Sequence, residues 1–362
     1  MQKILISKRR GIGDAVLMTP AIETLHRNYP EAEITVLAPA IVAPLFEASP
    51  GVNRIWTFAE KKTLAGAPAI GRERFDLYLD LNSTGTTRWL SRLSRAKMRI
   101  SHRHDERTAK KYSPRPNAID WDIYAIKDKF PDMMIAPRDF LRPKIYFWEE
   151  EIKHAEDFWR SRGVKNGNVV VLGIGASRQT KRWPSEHFAQ FIALVRKRLH
   201  MAVAIFPGPD PEERIFANRL INDINALRLD PEDSEIIIEK VSNLRNFAAL
   251  LATAHAYVGN DSGPKHIAVA SGTPTLTFFG PEDPLEWHPY SQEDHPILFQ
   301  PALSCRKEDH GRWCSIKDCV VEKHRCMTGL TPENAYHAFL SLHRMPMVHD
   351  RFVLKHTTPG MP

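Results

Sequence analysis

The chain has 362 residues, of which 43% are hydrophobic and 26% are charged, and it contains 18 glycines and four cysteines. This composition is typical of a folded globular protein and excludes a disordered chain, a collagen and a coiled coil. The apolar runs are too short for a membrane-spanning helix or a secretory signal, and the cysteines are too few for a disulfide scaffold. We therefore expect about two domains and a reducing, cytoplasmic environment.

Positive charge is concentrated in one segment of the chain. The formal net charge is +7, but residues 86–115 hold ten lysines and arginines against two acids, so that the rest of the chain sums to −1. Such a patch favours an anionic partner, which could be nucleic acid, a phosphorylated glycolipid or an acidic membrane surface. The alternative is a solvated basic face.

Strand and helix patterns alternate along the first part of the chain. A helical stretch is predicted from the glycine turn at 11–14 to about residue 29, where Pro20 marks either a helix start capped by Thr19 or a kink. A further helix is predicted at 41–48, and a helix and a loop carry the basic segment. The predicted strands are residues 3–7, 33–37, 54–58 and 75–81.

A second alternating series follows residue 143. Residues 168–174 form a continuous β-branched run, which indicates a strand buried on both faces. The alternation continues through helices at 149–162, 184–199, 211–221 and 331–343, a strand at 202–206, and the segments 243–254, 256–258, 263–270 and 274–279. This order predicts an α/β fold with parallel sheets in two Rossmann-like halves. We expect domains at 1–145 and 146–345 and a loosely held tail at 346–362.

The first glycine turn, Gly11-Ile12-Gly13-Asp14, resembles half of a dinucleotide-binding fingerprint. Val16 stands where the third glycine would be, and the second strand ends without the acid that binds a ribose hydroxyl, which argues against a nicotinamide enzyme. Asp14 follows the carboxyl end of a strand, where open α/β sheets bind ligands. It is therefore either a general base or a simple helix cap.

Two later strand–turn–helix passages are suited to an anion. Residues 173–184 join a buried strand to a loop with Lys181 and then to a helix that begins at Pro184. Residues 259–270 join a strand to a glycine-bearing turn and a helix N-terminus. Backbone N–H groups and a cation at such positions favour phosphate binding, although the first passage is not a Walker loop. His266 in the second passage could instead have no part in anion binding and be a histidine on the helix face that makes one hydrogen bond.

Taken in order, these motifs resemble the inverting lipopolysaccharide heptosyltransferases, glycosyltransferase family nine. The resemblance covers nearly the whole chain and rests on Gly13-Asp14, Thr19-Pro20-Ala21, Lys181-Arg182-Trp183-Pro184, Asp261-Ser262-Gly263-Pro264-Lys265-His266 and Phe279-Gly280-Pro281. It implies a GT-B fold, in which two Rossmann-like domains face a central cleft. The acceptor would bind the N-terminal half, and the nucleotide sugar, ADP-heptose in the best-known members, the C-terminal half.

The resemblance also implies roles for individual residues and no cofactor. Asp14 matches the catalytic base, and Lys181 matches the lysine that contacts the leaving diphosphate in place of a metal. The matching donor-binding positions are Ser177, Thr180, Lys181, Glu212, Asp261, Ser262, Gly263 and His266, with Glu213 as the alternative to Glu212. Ala176 departs from the pattern, because related sequences often have a second hydroxyl there.

The basic segment falls in the half assigned to the acceptor. We expect it to bind an anionic lipopolysaccharide core or the cytoplasmic face of the inner membrane through Arg88, Arg103, Arg107, Lys110 and Lys111. One alternative is a family member that transfers another nucleotide-activated sugar to a cell-surface glycolipid. A second is a nucleic-acid-binding protein, but the segment has no helix-turn-helix or aromatic platform, so nucleic acid is not the expected partner.

Two other patterns raise the question of a metal. Four cysteines lie within 22 residues, namely Cys305, Cys314, Cys319 and Cys326. They form either a zinc site or structural loop positions, and a spacing that matches no common zinc finger favours the second interpretation. Asp120-Trp121-Asp122 is formally an Asp-x-Asp sequence, which we interpret as surface and not as a metal site.

Overall fold

The computed structural model describes residues 1–9, 11–58, 70–102, 111–137, 141–165, 167–303, 305, 319, 324–345 and 352–354. These residues divide into two compact units. The first contains Met1–Trp148, Asn243–Arg245 and the strand Phe352–Leu354, and the second contains Glu149–Ser242 and the described residues from Asn246 to Met345. The observed division follows Trp148, three residues after the predicted boundary at 145.

The first unit is built on a five-stranded parallel sheet with the order β3-β2-β1-β4-β5. Its strands are β1 (Lys3–Ser7), β2 (Glu33–Pro39), β3 (Val52–Phe58), β4 (Leu77–Asp80) and β5 (Met98–Ser101). Its helices are α1 (Ile12–Leu17), α2 (Thr19–Asn28), α3 (Gly85–Leu93) and α4 (Ala118–Lys127). The strand order reverses between β1 and β4, which is the position where ligands bind in Rossmann-like sheets.

The second unit has a six-stranded parallel sheet with the order β12-β11-β10-β7-β8-β9. Its strands are β7 (Val169–Gly173), β8 (Ala202–Ile205), β9 (Ile236–Ile238), β10 (Ala256–Asn260), β11 (Thr275–Phe279) and β12 (Ile297–Phe299). Its helices are α5 (Glu149–Arg160), α6 (Ser185–Leu199), α7 (Pro211–Ala226), α8 (Leu244–Ala252, whose first two residues belong to the first unit), α9 (Gly263–Ala270), α10 (Pro284–Trp287), α11 (Arg325–Thr328) and α12 (Pro332–His343). The strand order reverses here between β7 and β10.

The predicted tail needs a partial correction. Phe352–Leu354 forms β13, which pairs in parallel with β6 (Tyr146–Trp148) in the first unit. Phe352 and Leu354 are half-buried and Val353 is exposed, so the strand is held mainly by its pairing with β6. The remainder of 346–362 lies outside the described residues.

In the first unit, one predicted helix and one predicted helix cap were wrong, and one strand was missed. The expected helix at 41–48 is only a 3₁₀ turn, Ala43–Phe46, with Pro44 in its first positions. Pro20 does begin a helix, but the N-cap is Met18, and Thr19 Oγ1 instead donates to the carbonyl of Val16 at 2.8 Å. The edge strand β5 was not predicted, since it is only four residues long and three of them are exposed.

The Asp120-Trp121-Asp122 sequence is buried, not at the surface. It lies in α4, and Trp121 and Asp122 are 1% and 0% exposed. Asp122 forms a buried ion pair with Lys8, which directly follows β1, and Asp120 belongs to a capping box with Asn117. The local sequence suggested a solvent-exposed position because two acids flank one aromatic residue. The Asp122 carboxylate can nevertheless be buried, because Lys8, which is distant in the chain, supplies the opposite charge.

Candidate active site

The two anion-binding passages predicted from the sequence meet at the switch point of the second sheet. Strands β7 and β10 are neighbours, and Gly173 is paired with Gly259. The loop after β7 leads to Lys181, and the loop after β10 leads to Asp261. Lys181 Nζ lies 2.8 Å from Asp261 Oδ2, so the two loops are joined by an ion pair.

A buried asparagine fixes the same two loops to each other. Asn260, at the end of β10, is 0% exposed. Its Oδ1 accepts from the Trp183 backbone N–H at 2.8 Å, and its Nδ2 donates to the Ile174 carbonyl at 2.9 Å. The strands also approach closely at the paired glycines: a β-carbon on Gly259 would lie 2.6 Å from the Gly173 carbonyl oxygen.

Two lysines share the Asp261 carboxylate. Lys265 Nζ donates to Asp261 Oδ1 at 2.6 Å and to the Trp287 carbonyl at 2.8 Å, and it lies 4.7 Å from the centre of the Phe279 ring. Burial alone would raise the pKa of Asp261, but Lys265 and Lys181 outweigh it and lower that pKa well below its usual value. Burial lowers the pKa of Lys265 to about 8, against the opposing effect of Asp261.

The cluster keeps a positive excess for a ligand. Glu282 forms an ion pair with Arg178 and lies 3.8 Å from Lys181 Nζ. With Asp261 and Lys265 included, three cationic side chains face two carboxylates. Helix α9 begins beside them with Ser262 as N-cap, and no side chain caps its first N–H groups. A helix N-terminus carries a partial positive charge, so this corner of the unit is suited to an anion.

The remaining predicted residues of the β7 loop differ in their surroundings. Ser177 is exposed, whereas Thr180 is 3% exposed and its Oγ1 has no hydrogen-bond partner among the described residues. A buried hydroxyl without a partner is uncommon and is typical of a position that meets a ligand or water. Thr180 immediately precedes Lys181, so both lie at one edge of the site.

The structure distinguishes the two adjacent glutamates at the start of α7. The Glu212 side chain is 71% exposed and lies 3.5 Å from Arg182. Glu213 instead accepts from the Gly208 backbone N–H at 3.1 Å, and a β-carbon on Gly175 would lie 2.6 Å from its Oε2. Burial raises the pKa of Glu213. Glu213 therefore lies between the ends of β7 and β8, whereas Glu212 points to solvent.

His266 lies in the first turn of α9 and is 4% exposed. Its Nδ1 is 2.5 Å from the hydroxyl oxygen of Tyr290, a residue that follows α10. Burial, with Lys265 next to it, lowers the pKa of His266 well below 6.5. The imidazole is therefore neutral at physiological pH, and its one predicted hydrogen bond is made to a residue that the sequence did not suggest.

In the first unit, Asp14 occupies the first turn of α1, directly after the loop from β1. The N-cap is Gly11, which has no side chain, so Asp14 does not cap the helix. None of the described residues forms a hydrogen bond or an ion pair with the half-buried Asp14 carboxylate. The loop that leads to it is fixed where it leaves β1, because Lys8 pairs with Asp122 and Arg9 Nη1 donates to Thr86 Oγ1 at 2.5 Å.

The comparison with known families agrees with this arrangement. A model of glycosyltransferase family 9 (heptosyltransferase) matches residues 64–312, which is more than half of the chain. The chain belongs to glycosyltransferase family 9. The GT-B-type α/β fold predicted from the sequence is confirmed by the solved structures that resemble it.

Individual relatives of this glycosyltransferase are distant in sequence. Lipopolysaccharide heptosyltransferase 3 of Escherichia coli is 24% identical over 299 residues, which cover 77% of this chain and 84% of that protein. The structure of E. coli ADP-heptose lps heptosyltransferase II matches with a TM-score of 0.73 at 20% identity and covers 94% of this chain and 98% of that one. E. coli heptosyltransferase WaaC, solved with ADP-2-deoxy-2-fluoro heptose, matches with a TM-score of 0.65 at 18% identity, covering 94% and 100%.

Only part of the predicted basic surface of this glycosyltransferase can be placed. Arg88 and Lys111 are exposed, and Arg103, Arg107 and Lys110 lie outside the described residues. In the described part of the chain, no helix is long and apolar enough to cross a membrane.

The cysteine cluster can be placed only in part. Cys305, Cys319 and Cys326 are half-buried, and Cys314 lies outside the described residues. The described residues contain no group of three or more metal-ligating side chains. The choice between a zinc site and loop cysteines is therefore still a prediction.

Sequence reasoning missed three residues that build the site. Lys265 stands four residues after Asp261, a spacing at which a helical pair interacts, so its role was readable in principle. Glu282 directly follows the Phe279-Gly280-Pro281 motif, but the sequence analysis assigned it no role. No sequence pattern pointed to Tyr290, since it contacts His266 from a separate segment after β11.

Proposed function

We propose that this glycosyltransferase transfers heptose from ADP-heptose to a lipopolysaccharide-core acceptor with inversion at the anomeric carbon. The observation that carries the proposal is the Lys181–Asp261–Lys265 cluster beside the uncapped N-terminus of α9. A nucleoside diphosphate is the anion that best suits two cations and a helix N-terminus at the switch point of such a sheet. The ADP-heptose named with the related enzymes supports the choice of donor.

The second unit would bind the donor through residues of three loops. Lys181, Thr180 and Ser177 approach the diphosphate from the β7 loop, and Ser262, Gly263 and His266 from α9. Asp261 holds both lysines in place and does not itself contact the anion. Of the two glutamates, we assign the contact with the nucleotide ribose to Glu213, because its carboxylate lies at the end of β8 and Glu212 is exposed.

The reaction is then a single displacement. Asp14 takes the proton from the acceptor hydroxyl as that oxygen attacks the anomeric carbon, and the bond to the diphosphate breaks on the opposite face. The carboxylate is suited to this role because no side chain among the described residues occupies it. Lys181 and the α9 N-terminus stabilise the negative charge that develops on the departing ADP.

The chain's own cations would make a metal unnecessary in this step. Lys181 and the α9 N-terminus together supply the charge that a divalent ion supplies in other transferases. We expect turnover to survive prolonged treatment with EDTA. Loss of turnover that magnesium or manganese restores would contradict a metal-independent mechanism.

Acceptor and membrane contact are assigned to the basic surface of the first unit. Its described exposed residues include Arg88, Trp89 and Arg92 on α3, Arg95 after it, Arg99 on β5, and Lys111. Residues 85–102 contain no acid. Helix α3 contains Thr86, which accepts a hydrogen bond from Arg9 in the loop between β1 and α1, so the basic surface is joined to the loop that leads to the proposed base. Basic residues with an exposed tryptophan favour an anionic lipid interface, on the cytoplasmic face of the inner membrane.

The deciding experiment is a panel of nucleotide sugars. ADP-heptose at 100 times its dissociation constant should stabilise the protein by about 2.7 kcal/mol, and a heptose-deficient core acceptor should then be extended by one heptose. The same panel with UDP- and GDP-sugars tests the alternative that another sugar is transferred. Stabilisation by ADP-heptose without transfer would contradict the catalytic proposal, and stabilisation by DNA alone would support the nucleic-acid alternative.

A further inference from the structure

The segment that follows β11 holds the first turn of α9 at two consecutive residues. The Trp287 carbonyl accepts from Lys265 Nζ at 2.8 Å, and the Tyr290 hydroxyl lies 2.5 Å from His266 Nδ1. Two further histidine rings surround Tyr290, with ring centres 5.1 Å away for His288 and 5.6 Å away for His295. The Tyr290 ring is therefore fixed by edge contacts, and its hydroxyl is held against the imidazole of His266.

The hydrogen bond between Tyr290 and His266 has a preferred direction. A neutral imidazole has one N–H donor and one acceptor nitrogen, and the partner of one nitrogen determines the tautomer. The oxygen of a phenol is a weak acceptor, because its lone pair is delocalised into the ring, whereas the bare imidazole nitrogen is a strong one. Among the described residues, His266 Nδ1 is the one hydrogen-bond partner of the Tyr290 hydroxyl. Tyr290 therefore donates and Nδ1 accepts.

The surroundings keep both groups neutral. Burial lowers the pKa of His266, and Lys265, His288 and Lys181 act in the same sense, with only Asp261 opposing them. Burial, followed by the charge of Asp261, raises the pKa of the Tyr290 hydroxyl well above its usual value. The proton of the hydrogen bond thus stays on the phenol, and an imidazolium does not form at physiological pH.

We propose that Tyr290 is a positioning residue that holds His266 as the neutral tautomer with its proton on Nε2. His266 then offers Nε2–H as a hydrogen-bond donor to an anionic oxygen at the N-terminus of α9. The identity of that oxygen, on the donor diphosphate, rests on the function proposed above. The assignment of the tautomer does not rest on that function, because it follows from the contact between His266 and Tyr290.

The tautomer can be measured in the unmodified protein. In full-length protein with ¹⁵N-labelled histidine, a long-range ¹H–¹⁵N correlation at pH 8 distinguishes a protonated ring nitrogen from a bare one. The His266 signals are those missing from His266→Asn. We expect Nε2 to be protonated and Nδ1 to have the shift of an accepting nitrogen. The opposite pattern, or an equal mixture, overturns the proposal whatever the enzyme transfers.

A double-mutant cycle tests whether Tyr290 acts through His266. Tyr290→Phe keeps the ring but removes the hydroxyl, and it should raise the dissociation constant of ADP about tenfold. In the His266→Asn background the same change should have no further effect, because the residue that it positions is absent. Tyr336→Phe, at a buried tyrosine of α12, is the matched control and should leave ADP affinity unchanged.

The outcomes separate the two proposals. An equal loss of affinity in both backgrounds would show that Tyr290 is merely structural, and this result overturns the positioning role. Failure of the wild-type protein to bind ADP would contradict the proposed donor. In that case the ¹H–¹⁵N spectrum still decides the tautomer of His266. Unfolding in urea shows separately whether Tyr290→Phe retains its fold.

Discussion

Lys181 Nζ and Asp261 Oδ2 are 2.8 Å apart, although 80 residues separate them in the chain. They meet because β7 and β10 are neighbours in the sheet and both end at the same edge. Lys265 occupies the other oxygen of the carboxylate, so that one buried acid organises two cations. A buried acid that fixes two lysines is a rigid arrangement, and this rigidity is what pre-organised stabilisation of a leaving group requires.

Lys181→Met should lower kcat by about 10²- to 10³-fold, the usual cost of removing one pre-organised group that stabilises developing charge. Because the lysine also attracts the ground-state diphosphate, the dissociation constant of ADP should rise as well. Steady-state kinetics and calorimetric titration with ADP measure the two effects. Lys197→Met, at an exposed lysine of α6, is the control, and a Lys181 variant that behaved like it would remove Lys181 from the mechanism.

Asp14→Asn should lower turnover by about 10²-fold or more, while ADP binding in the second unit stays unchanged. The amide has nearly the shape of the carboxylate but cannot accept the proton of the acceptor hydroxyl. Single-turnover measurements with saturating donor isolate the chemical step. Asp132→Asn, at an exposed turn of the same unit, should be as active as the wild type. Turnover within a few-fold of wild type in Asp14→Asn would exclude it as the base.

Asp261→Asn should destabilise the protein by about 3–5 kcal/mol, because it leaves the fully buried Lys265 without a counter-charge. Unfolding in urea at pH 7 measures the loss. Adding Lys265→Met to the variant should recover part of it, since the double variant no longer buries an unpaired ammonium group. No recovery in the double variant would show that Asp261 matters for packing and not for charge.

His288 should make stability fall in acid. Burial lowers its pKa from 6.5 to about 3, so between these values the unfolded chain binds a proton that the folded chain does not. The stabilisation is fully present above pH 6.5 and is lost progressively as the pH falls toward 3. Between pH 7.5 and pH 5, the wild type should lose about 2 kcal/mol more than His288→Gln. His154→Gln, at an exposed histidine, should lose as much as the wild type.

Reversing Arg88, Arg92 and Arg99 to glutamate should weaken binding to vesicles of anionic phospholipid, by about 1 kcal/mol or more for each residue. Binding of the wild type should fade as salt rises, because exposed charges are screened beyond about 8 Å at physiological ionic strength. ADP affinity should not change. A control that reverses Lys153, Arg160 and Lys197 in the second unit should bind vesicles as the wild type does. If the variant with Arg88, Arg92 and Arg99 reversed bound vesicles fully at low salt, the basic segment would be a solvated face and not a membrane contact.

A second variant extends this test to the predicted basic residues. Charge reversal at Arg103, Arg107, Lys110 and Lys111 should weaken acceptor binding without affecting ADP. Activity toward a soluble, lipid-free core separates contact with the glycan from contact with the membrane. Unchanged affinity for both would remove the segment from acceptor recognition.

The sequence by itself determined the alternating α/β architecture and the loops that carry the site. Strands such as Val169–Gly173 are apolar throughout because both their faces are buried, and that pattern is local. Helix α9 was predicted with its exact bounds, since the glycine-proline start is a local signal too. Lys181, Asp261 and His266 were identified as candidates because they lie in the passages that follow two such strands and match the family motifs, and their roles are still predictions.

Only the tertiary structure decided which partners these residues have. Asp122 is buried because Lys8, the residue after β1, forms an ion pair with it, and Glu213 lies between the ends of β7 and β8 because Gly175 and Gly208 make room for its carboxylate. Tyr290 meets His266 from a segment that no spacing rule connects to α9. A contact between elements depends on sheet order and on the direction of each side chain, and both arise only when the strands pair, so local sequence carries no record of them.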